Sequence, residues 1–442
     1  MSRPARPPEL RLTLLALAVF AFCGAARAEG SEAEGSATVG IGGVTGDRAD
    51  RSLFGQYNGL RTDRAVGLFG VEYSRRDEAT GSSTSFSGVN LFGDTQELDF
   101  RWKRQGDWKF SANLDQHLRH DPLELSNGTD LKVRRTSLGV AYQKIIGAAL
   151  QFDVALSSEK KDGLRLFGIG MNCPSAVAPG CGGTTGTETG WAVLFQPEPV
   201  DANHSQIDAR LSYASGDLRL SGGYYGSFYN NSNGSLNPNV PATLNNALGT
   251  PLPPSAGLQG ILSQPVALPP DNQAHQLDIA GSYAFTPTTR MNFKLARGLA
   301  TQQQDFTAAG LSGAPAGVSN LGGRVDTTLA QLGLSARPMN KLSLHAKWRY
   351  EDRDDSTPIA PYNIEGASTY TNRRLPSTKV RGEVQGSYQF NSDVRGALAA
   401  DYEFIDRGAF TQSSAVAGIS ALRQETEETG VRAEVRRRMN ED

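Results

Sequence analysis

Runs of roughly a dozen residues alternate apolar with charged side chains, the links between them are short and long by turns, and aromatic residues gather near the run ends. Together these predict an all-β chain closed as a transmembrane antiparallel β-barrel, with about fourteen strands visible. Glycine is 49 of 442 residues, about 11% where ~7% is ordinary, as a turn-rich chain requires. Beyond residue 30 no run of ~18 apolar residues occurs, which excludes a helical membrane span. The regular return of aromatics argues against disorder.

In chain order, residues 1–28 read as a secretory signal peptide. Arg3, Arg6 and Arg11 form a basic start, Leu12 to Phe22 an apolar run, and Ala26-Arg27-Ala28 a small-x-small cleavage site. Cys23 follows Phe22, where a lipoprotein signal would place a small residue. Cleavage leaves 40 basic and 45 acidic residues, net −5, which does not suggest a nucleic-acid partner. Residues 29–63 are expected to be a periplasmic N-terminal segment, and 64–442 the outer-membrane barrel.

Strands are expected at 64–76, 94–105, 107–119, 132–144, 147–158, 203–215, 217–229, 273–285, 289–301, 324–336, 340–351, 378–390, 393–405 and 424–438. The clearest hairpin sets Leu98, Phe100 and Trp102 against Asp99, Arg101 and Lys103, turns at Gln105-Gly106-Asp107, and returns with Trp108, Phe110, Ala112 and Leu114 opposing Lys109, Ser111, Asn113 and Asp115. Tight turns fall near Gly106, Gly147, Gly216, Pro287, Pro338 and Ser392. The other links are long and rich in Gly, Pro, Ser and Asn, notably 159–202, 230–272 and 352–377. Trp102, Trp108, Tyr142, Tyr213, Tyr283, Phe285, Tyr388 and Phe390 are placed beside tight turns, and Tyr73, Tyr224, Trp348, Tyr350, Tyr402 and Phe404 beside long loops. This is the pattern of two interfacial girdles. A soluble β-sandwich would also alternate, but would need neither girdles nor a charged face on nearly every strand.

The charged face carries the candidate functional residues. Glu72, Arg76, Asp99, Arg101, Lys103, Lys109, Asp115, Asp208, Arg210, Lys347, Arg349, Arg381 and Glu383 are expected to face the lumen and contact a partner or select solutes. The plainer reading of any one of them is a hydrated charge paired across neighbouring strands. Cys173 and Cys181, in an exported Gly/Pro-rich stretch, form a candidate disulfide; a metal or redox pair is the alternative, and no histidine lies near. His117 and His120 make an H-x-x-H, but positions three apart on a strand point to opposite faces. The acidic cluster Glu351 to Asp355 reads as a solvated strand end with internal ion pairing rather than a cation site. No nucleophilic triad, phosphate-cradling glycine loop or Cys-x-x-Cys-His haem-attachment motif is present, so nothing reads as an enzyme and no cofactor is expected on this chain.

Several local strings then carry a resemblance: Phe54-Gly55-Gln56-Tyr57-Asn58-Gly59-Leu60, Tyr73-Ser74-Arg75-Arg76-Asp77, Arg104-Gln105-Gly106-Asp107-Trp108-Lys109, Lys161-Asp162-Gly163-Leu164-Arg165-Leu166-Phe167-Gly168, Gly222-Gly223-Tyr224-Tyr225-Gly226-Ser227-Phe228 and Tyr350-Glu351-Asp352-Arg353-Asp354. Their order and spacing resemble the MtrB/PioB family of decahaem-associated outer-membrane proteins over most of the mature chain. The resemblance implies a bacterial outer-membrane barrel that sheathes a periplasmic multihaem c-type cytochrome, with the haem on that partner. Electrons would then cross the membrane to or from external acceptors, an extracellular multihaem cytochrome among them. A solute-conducting porin without cytochrome cargo is the alternative, and a loop-mediated adhesive barrel a third reading.

Size departs from the resemblance, which implies about 26 strands. At ~4.8 Å spacing and ~40° tilt, fourteen strands close at ~28 Å and twenty-six at ~50 Å. The end at Arg436-Arg437-Arg438-Met439-Asn440-Glu441-Asp442 lacks a terminal aromatic strand. The chain is therefore expected to be part of a larger barrel, truncated or split, whose first and last edges stay unpaired when it stands alone.

Overall fold

The computed structural model describes residues 31–46, 65–125, 128–172, 191–241, 244–245, 251–252, 259–260, 262–312, 314–364, 367–408 and 423–438. The signal peptide, Cys173, Cys181 and residues 439–442 lie outside them. One antiparallel sheet holds eighteen strands, two of which are two-residue segments, leaving sixteen long ones. These are β1 Ser31–Gly42, β2 Val66–Asp77, β3 Ser82–Val89, β4 Gln96–Arg104, β5 Trp108–Glu124, β6 Asp130–Ile146, β7 Leu150–Asn172 and β8 Trp191–Ser215. They continue with β9 Leu218–Asn231, β10 Asn272–Thr286, β11 Thr289–Gln302, β12 Gly323–Met339, β13 Leu342–Asp355, β14 Ser377–Gln389, β15 Val394–Asp406 and β16 Glu425–Arg437. Each pairs with its sequence neighbour; among the described residues β1 pairs only with β2, and β16 only with β15.

Fourteen of these long strands sit where alternation placed them. The other two, β1 and β3, escaped it because small residues blunt the pattern. In β1 the apolar side of the alternation is Ala33, Gly35 and Ala37 before Val39 and Ile41, and β3 reads SSTSFSGV. The segment expected over 29–63 thus contributes β1 to the sheet through Ser31–Gly42. Inserting β3 reverses the chain after β2. Tyr73 therefore stands towards the tight turn at 78–81, not beside a long loop as expected.

The stretch expected as a loop over 159–202 is largely ladder, with β7 and β8 paired from Leu150↔Tyr213 out to Asn172↔Trp191. Pro197 and Pro199 hid the strand, since proline is tolerated where its missing N–H costs no ladder bond. Beyond Val133↔Gly163 on one side and Ala202↔Asn231 on the other, this hairpin outgrows the strands flanking it.

All the tight turns fall at one end of the sheet. Gly106, Gly147 and Gly216 adopt φ of 72°, 64° and 55° there, the left-handed conformation that two- and three-residue hairpin turns need and glycine adopts without penalty. Long links occupy the other end, where the residues between strands pack on one another. Leu236, Leu262, Leu268 and Ala309 are buried there, and Ser235–Leu236 pairs with Val266–Ala267.

The sheet itself has no packed core. Leu277, Val384 and Leu398 are 64%, 61% and 60% exposed, and each such side chain would forgo ~1.5–3 kcal/mol if left in water. A face built of them is stable only against lipid. Trp102 and Trp108, Tyr283 and Phe285, and Tyr388 and Phe390 meet edge to face near the tight turns, while Trp348 stacks on Tyr350 further along. From Phe390 to Val380, the partner of Phe404, the strand spans roughly 34 Å, which a ~40° tilt reduces to ~25 Å, the height of an apolar barrel band.

Candidate functional site

Register, carried from strand to strand, decides which charges share a face. One row runs Glu72↔Ser87↔Asp99↔Asn113, a second Ser74↔Ser85↔Arg101↔Ser111, and a third Arg76↔Ser83↔Lys103↔Lys109. Asp115 continues this face opposite Glu97 and Ser137. Across β7 to β9 the same parity holds Asp153↔Arg210↔Gly223 and Ala155↔Asp208↔Tyr225. Across β13 to β15 it holds Arg349↔Arg381↔Glu403 and Lys347↔Glu383↔Asp401. All thirteen candidates therefore occupy the polar face, opposite the exposed apolar one.

The arrangement differs by sector. Between β8 and β10, Arg210 reaches across β9 to Asp278: Nη1 donates to Oδ2 at 3.1 Å and Nη2 to Oδ1 at 3.2 Å. The Asp278 side chain is only 4% exposed, so this fork satisfies a carboxylate that would otherwise be costly to bury. Gly223 lies between them, and a Cβ there would stand 2.8 Å from Arg210 Nη2. In β13 to β15, Lys347 pairs with Glu383 at 3.7 Å, Arg381 and Lys379 share Glu403 at 3.0 and 3.4 Å, and Arg349 pairs with Glu351. These pairs offset the repulsion of Arg349 directly opposite Arg381.

Between β1 and β5 the pattern opens. A groove of about 520 Å³ is lined by Glu32, Glu34, Arg76, Arg101, Lys103 and Lys109 among serines. Arg101 approaches Asp99 at 3.8 Å; Arg76, Lys103 and Lys109 have no carboxylate within ion-pair distance among the described residues. Sequence reasoning missed Glu32 and Glu34, carried by the unrecognised β1. It also missed Asp278 and Glu403 as partners, though Asp278 stands between Leu277 and Ile279 in plain alternation.

His117 and His120 fall on opposite faces of β5 by register, at Arg135 and Lys132. Among the described residues no three His, Cys, Asp or Glu side chains are gathered to hold a metal ion. The acidic strand end serves local structure: Asp352 accepts from Thr378 Oγ1 at 2.8 Å, and Asp355 from the N–H groups of Thr357 and Leu375 at 3.1 and 2.9 Å.

A lipid-facing apolar surface, a charged opposite face and turns sorted by length define an outer-membrane β-barrel protein. Its sequence matches the family model described as outer membrane beta-barrel porin, MtrB/PioB, over residues 47–126 and 117–442. The chain belongs to the MtrB/PioB family. It is 27% identical over 349 residues to outer membrane protein MtrB of Shewanella baltica (strain OS185), an alignment covering 76% of this chain and 44% of that one. The chain thus spans less than half the length of that curated relative. Among solved structures it is similar to the ferric-catecholate import receptor Fiu from E. coli K12, with TM-score 0.43, 11% identity, and 93% of this chain and 62% of that one covered. It is also similar to a Pseudomonas aeruginosa FadL homologue, with TM-score 0.31, 11% identity, and 74% and 72% covered.

Proposed function

We propose that this chain forms wall of an outer-membrane barrel that sheathes a periplasmic multihaem c-type cytochrome, so that electrons cross the membrane along the partner's haems. Family membership carries the reading. The polar face supports it: facing the lumen, it would offer charges of both signs to a protein cargo, while the apolar face insulates the haem chain from lipid. The barrel's own part is positional: it holds the cargo, excludes lipid and leaves both ends accessible, including to an extracellular multihaem cytochrome.

Sixteen strands at ~4.8 Å spacing and ~40° tilt would close at ~32 Å. A bore for a folded cytochrome needs further strands, and the outer edges of β1 and β16 are where a ladder could take them up. That same dimension favours a second reading, a solute-conducting porin of ordinary size. Purifying the tagged chain from outer membranes of a host co-expressing a decahaem c-type cytochrome separates the two. Haem in fixed ratio to barrel is expected for the sheath; a heat-modifiable barrel that conducts ions in a planar bilayer and brings no haem would establish the porin.

A further inference from the structure

The polar face is not evenly charged along the barrel axis. The tight turns fix which end of each strand is which, so the first polar-face residue next to each turn can be compared round the sheet. Arg76 of β2, Lys103 of β4, Lys109 of β5, Arg219 of β9, Arg290 of β11 and Arg395 of β15 all occupy this row. All six are exposed. Glu32 is the one carboxylate in the row among the described residues. Of the carboxylates in the turns, Asp107 is engaged by Lys144 and Arg104, and Glu78, Asp217 and Asp393 make no ion pair with Arg76, Arg219 or Arg395 within 4.0 Å. Lys103 stands directly opposite Lys109, an arrangement that costs sheet stability. Deeper along the strands the carboxylates Asp99, Asp153, Asp208, Asp278 and Asp401 return, and of these Asp99 pairs with Arg101 and Asp278 with Arg210.

We propose that this row is a cationic collar at the tight-turn mouth that docks a carboxylate-rich surface of the cytochrome entering from the periplasm. The inference rests on the sheath reading above and assigns the contact to one end of the barrel. The cations are spread over six strands, and strands lie ~4.8 Å apart. A small anion could therefore touch the Lys103–Lys109 pair but not the row, whereas a protein surface with many carboxylates can meet all of it. Lipid phosphates are on the wrong side, because the collar faces away from the apolar surface. An excess of one sign of charge at a mouth also draws an oppositely charged partner in before contact.

The test compares the native chain with R76Q/K103Q/K109Q/R219Q/R290Q/R395Q, each co-expressed with a decahaem c-type cytochrome. Haem per assembled barrel is read after washing at about 0.05 M and about 0.5 M NaCl, since a screened contact weakens over that range. The native barrel is expected to keep haem at low salt and release it at high salt. The neutralised barrel, equally heat-modifiable, is expected to hold about tenfold less at low salt, with little salt dependence left. Equal retention by both barrels at both salts would overturn the collar and leave the sheath standing. A native barrel that brings no haem at all would overturn the sheath and the docking with it. Should the sixfold variant not assemble, K103Q/K109Q gives the same readout: it removes a repulsive pair, so it should assemble, and unchanged haem in it would also overturn the collar.

Discussion

The sectors β2–β5 and β13–β15 share one alternation and one face, yet treat their charges in opposite ways. In β13–β15 each named cation finds a carboxylate on its own or the next strand, and Glu403 serves two. In β2–β5 Arg76, Lys103 and Lys109 stand open around a serine-lined groove. Like charges meet in both sectors, Arg349 with Arg381 and Lys103 with Lys109; in the first the acids form ion pairs with the cations, while Glu32 and Glu34 line the second without pairing with Lys103 or Lys109. Paired charge makes a hydrated wall; unpaired charge leaves capacity for a partner.

The comparison can be broken first from outside. Val384→Lys, on the exposed apolar face of β14, is expected to cost about 2–4 kcal/mol, the penalty for a lysine in the lipid midplane. Loss of the heat-modifiable form would register it, while Lys347→Met on the opposite face of the neighbouring strand should assemble normally. Next, Asp278→Ala strands Arg210 and is expected to destabilise by roughly 1–3 kcal/mol, less than a fully buried pair because Arg210 is a third exposed. Denaturant unfolding from lipid vesicles would measure it. Glu383→Ala, which frees the exposed Lys347, should shift the same curve by under about 1 kcal/mol. Lys103→Gln sharpens the contrast, for relieving its repulsion with Lys109 should leave stability level or raise it by ~0.2–1 kcal/mol.

The smallest effect is a pH response in the link between β11 and β12. Hydrogen bonds from Thr307 Oγ1 and from the N–H groups of Ala308 and Thr307 hold the Asp305 carboxyl below its usual 3.8. A depressed pKa supports structure above the unfolded value and loses that support as pH falls through the folded one. Amide exchange at Thr307 and Ala308 should therefore be slow at neutral pH relative to its intrinsic rate and lose that protection at acid pH below 3.8.

Much of this was legible from side-chain parity. Alternation marked fourteen of the long strands, and grouped Asp99, Arg101 and Lys103 on one face, which by register the other ten candidates share. It faltered where side chains are small, as in β1 and β3, and where prolines interrupt a ladder, as in the outer half of β8. Missing β3 also inverted the position of Tyr73, because an antiparallel sheet reverses direction with each strand. Pairing was illegible for a different reason. Arg210 meets Asp278 across an intervening strand and through a glycine gap, and a sixty-eight-residue separation carries no trace of that contact in local pattern.

The outgrown β7–β8 hairpin bears on how a cell carrying this barrel meets its surroundings. Past Gly163 and Pro199 its two strands continue together to Asn172 and Trp191, roughly 30 Å of ribbon at ~3.3 Å per residue. One side is covered, with Glu198 and Gln196 buried and Asn239 donating its N–H to Gln196 Oε1 at 3.2 Å. The other presents Phe195, 60% exposed. The ribbon rises on the long-loop side, which in such barrels faces outward, and the link between β9 and β10 climbs with it as far as Val193, the partner of Asn245, so that an antibody, a phage or a neighbouring cell would meet ribbon and link as one surface.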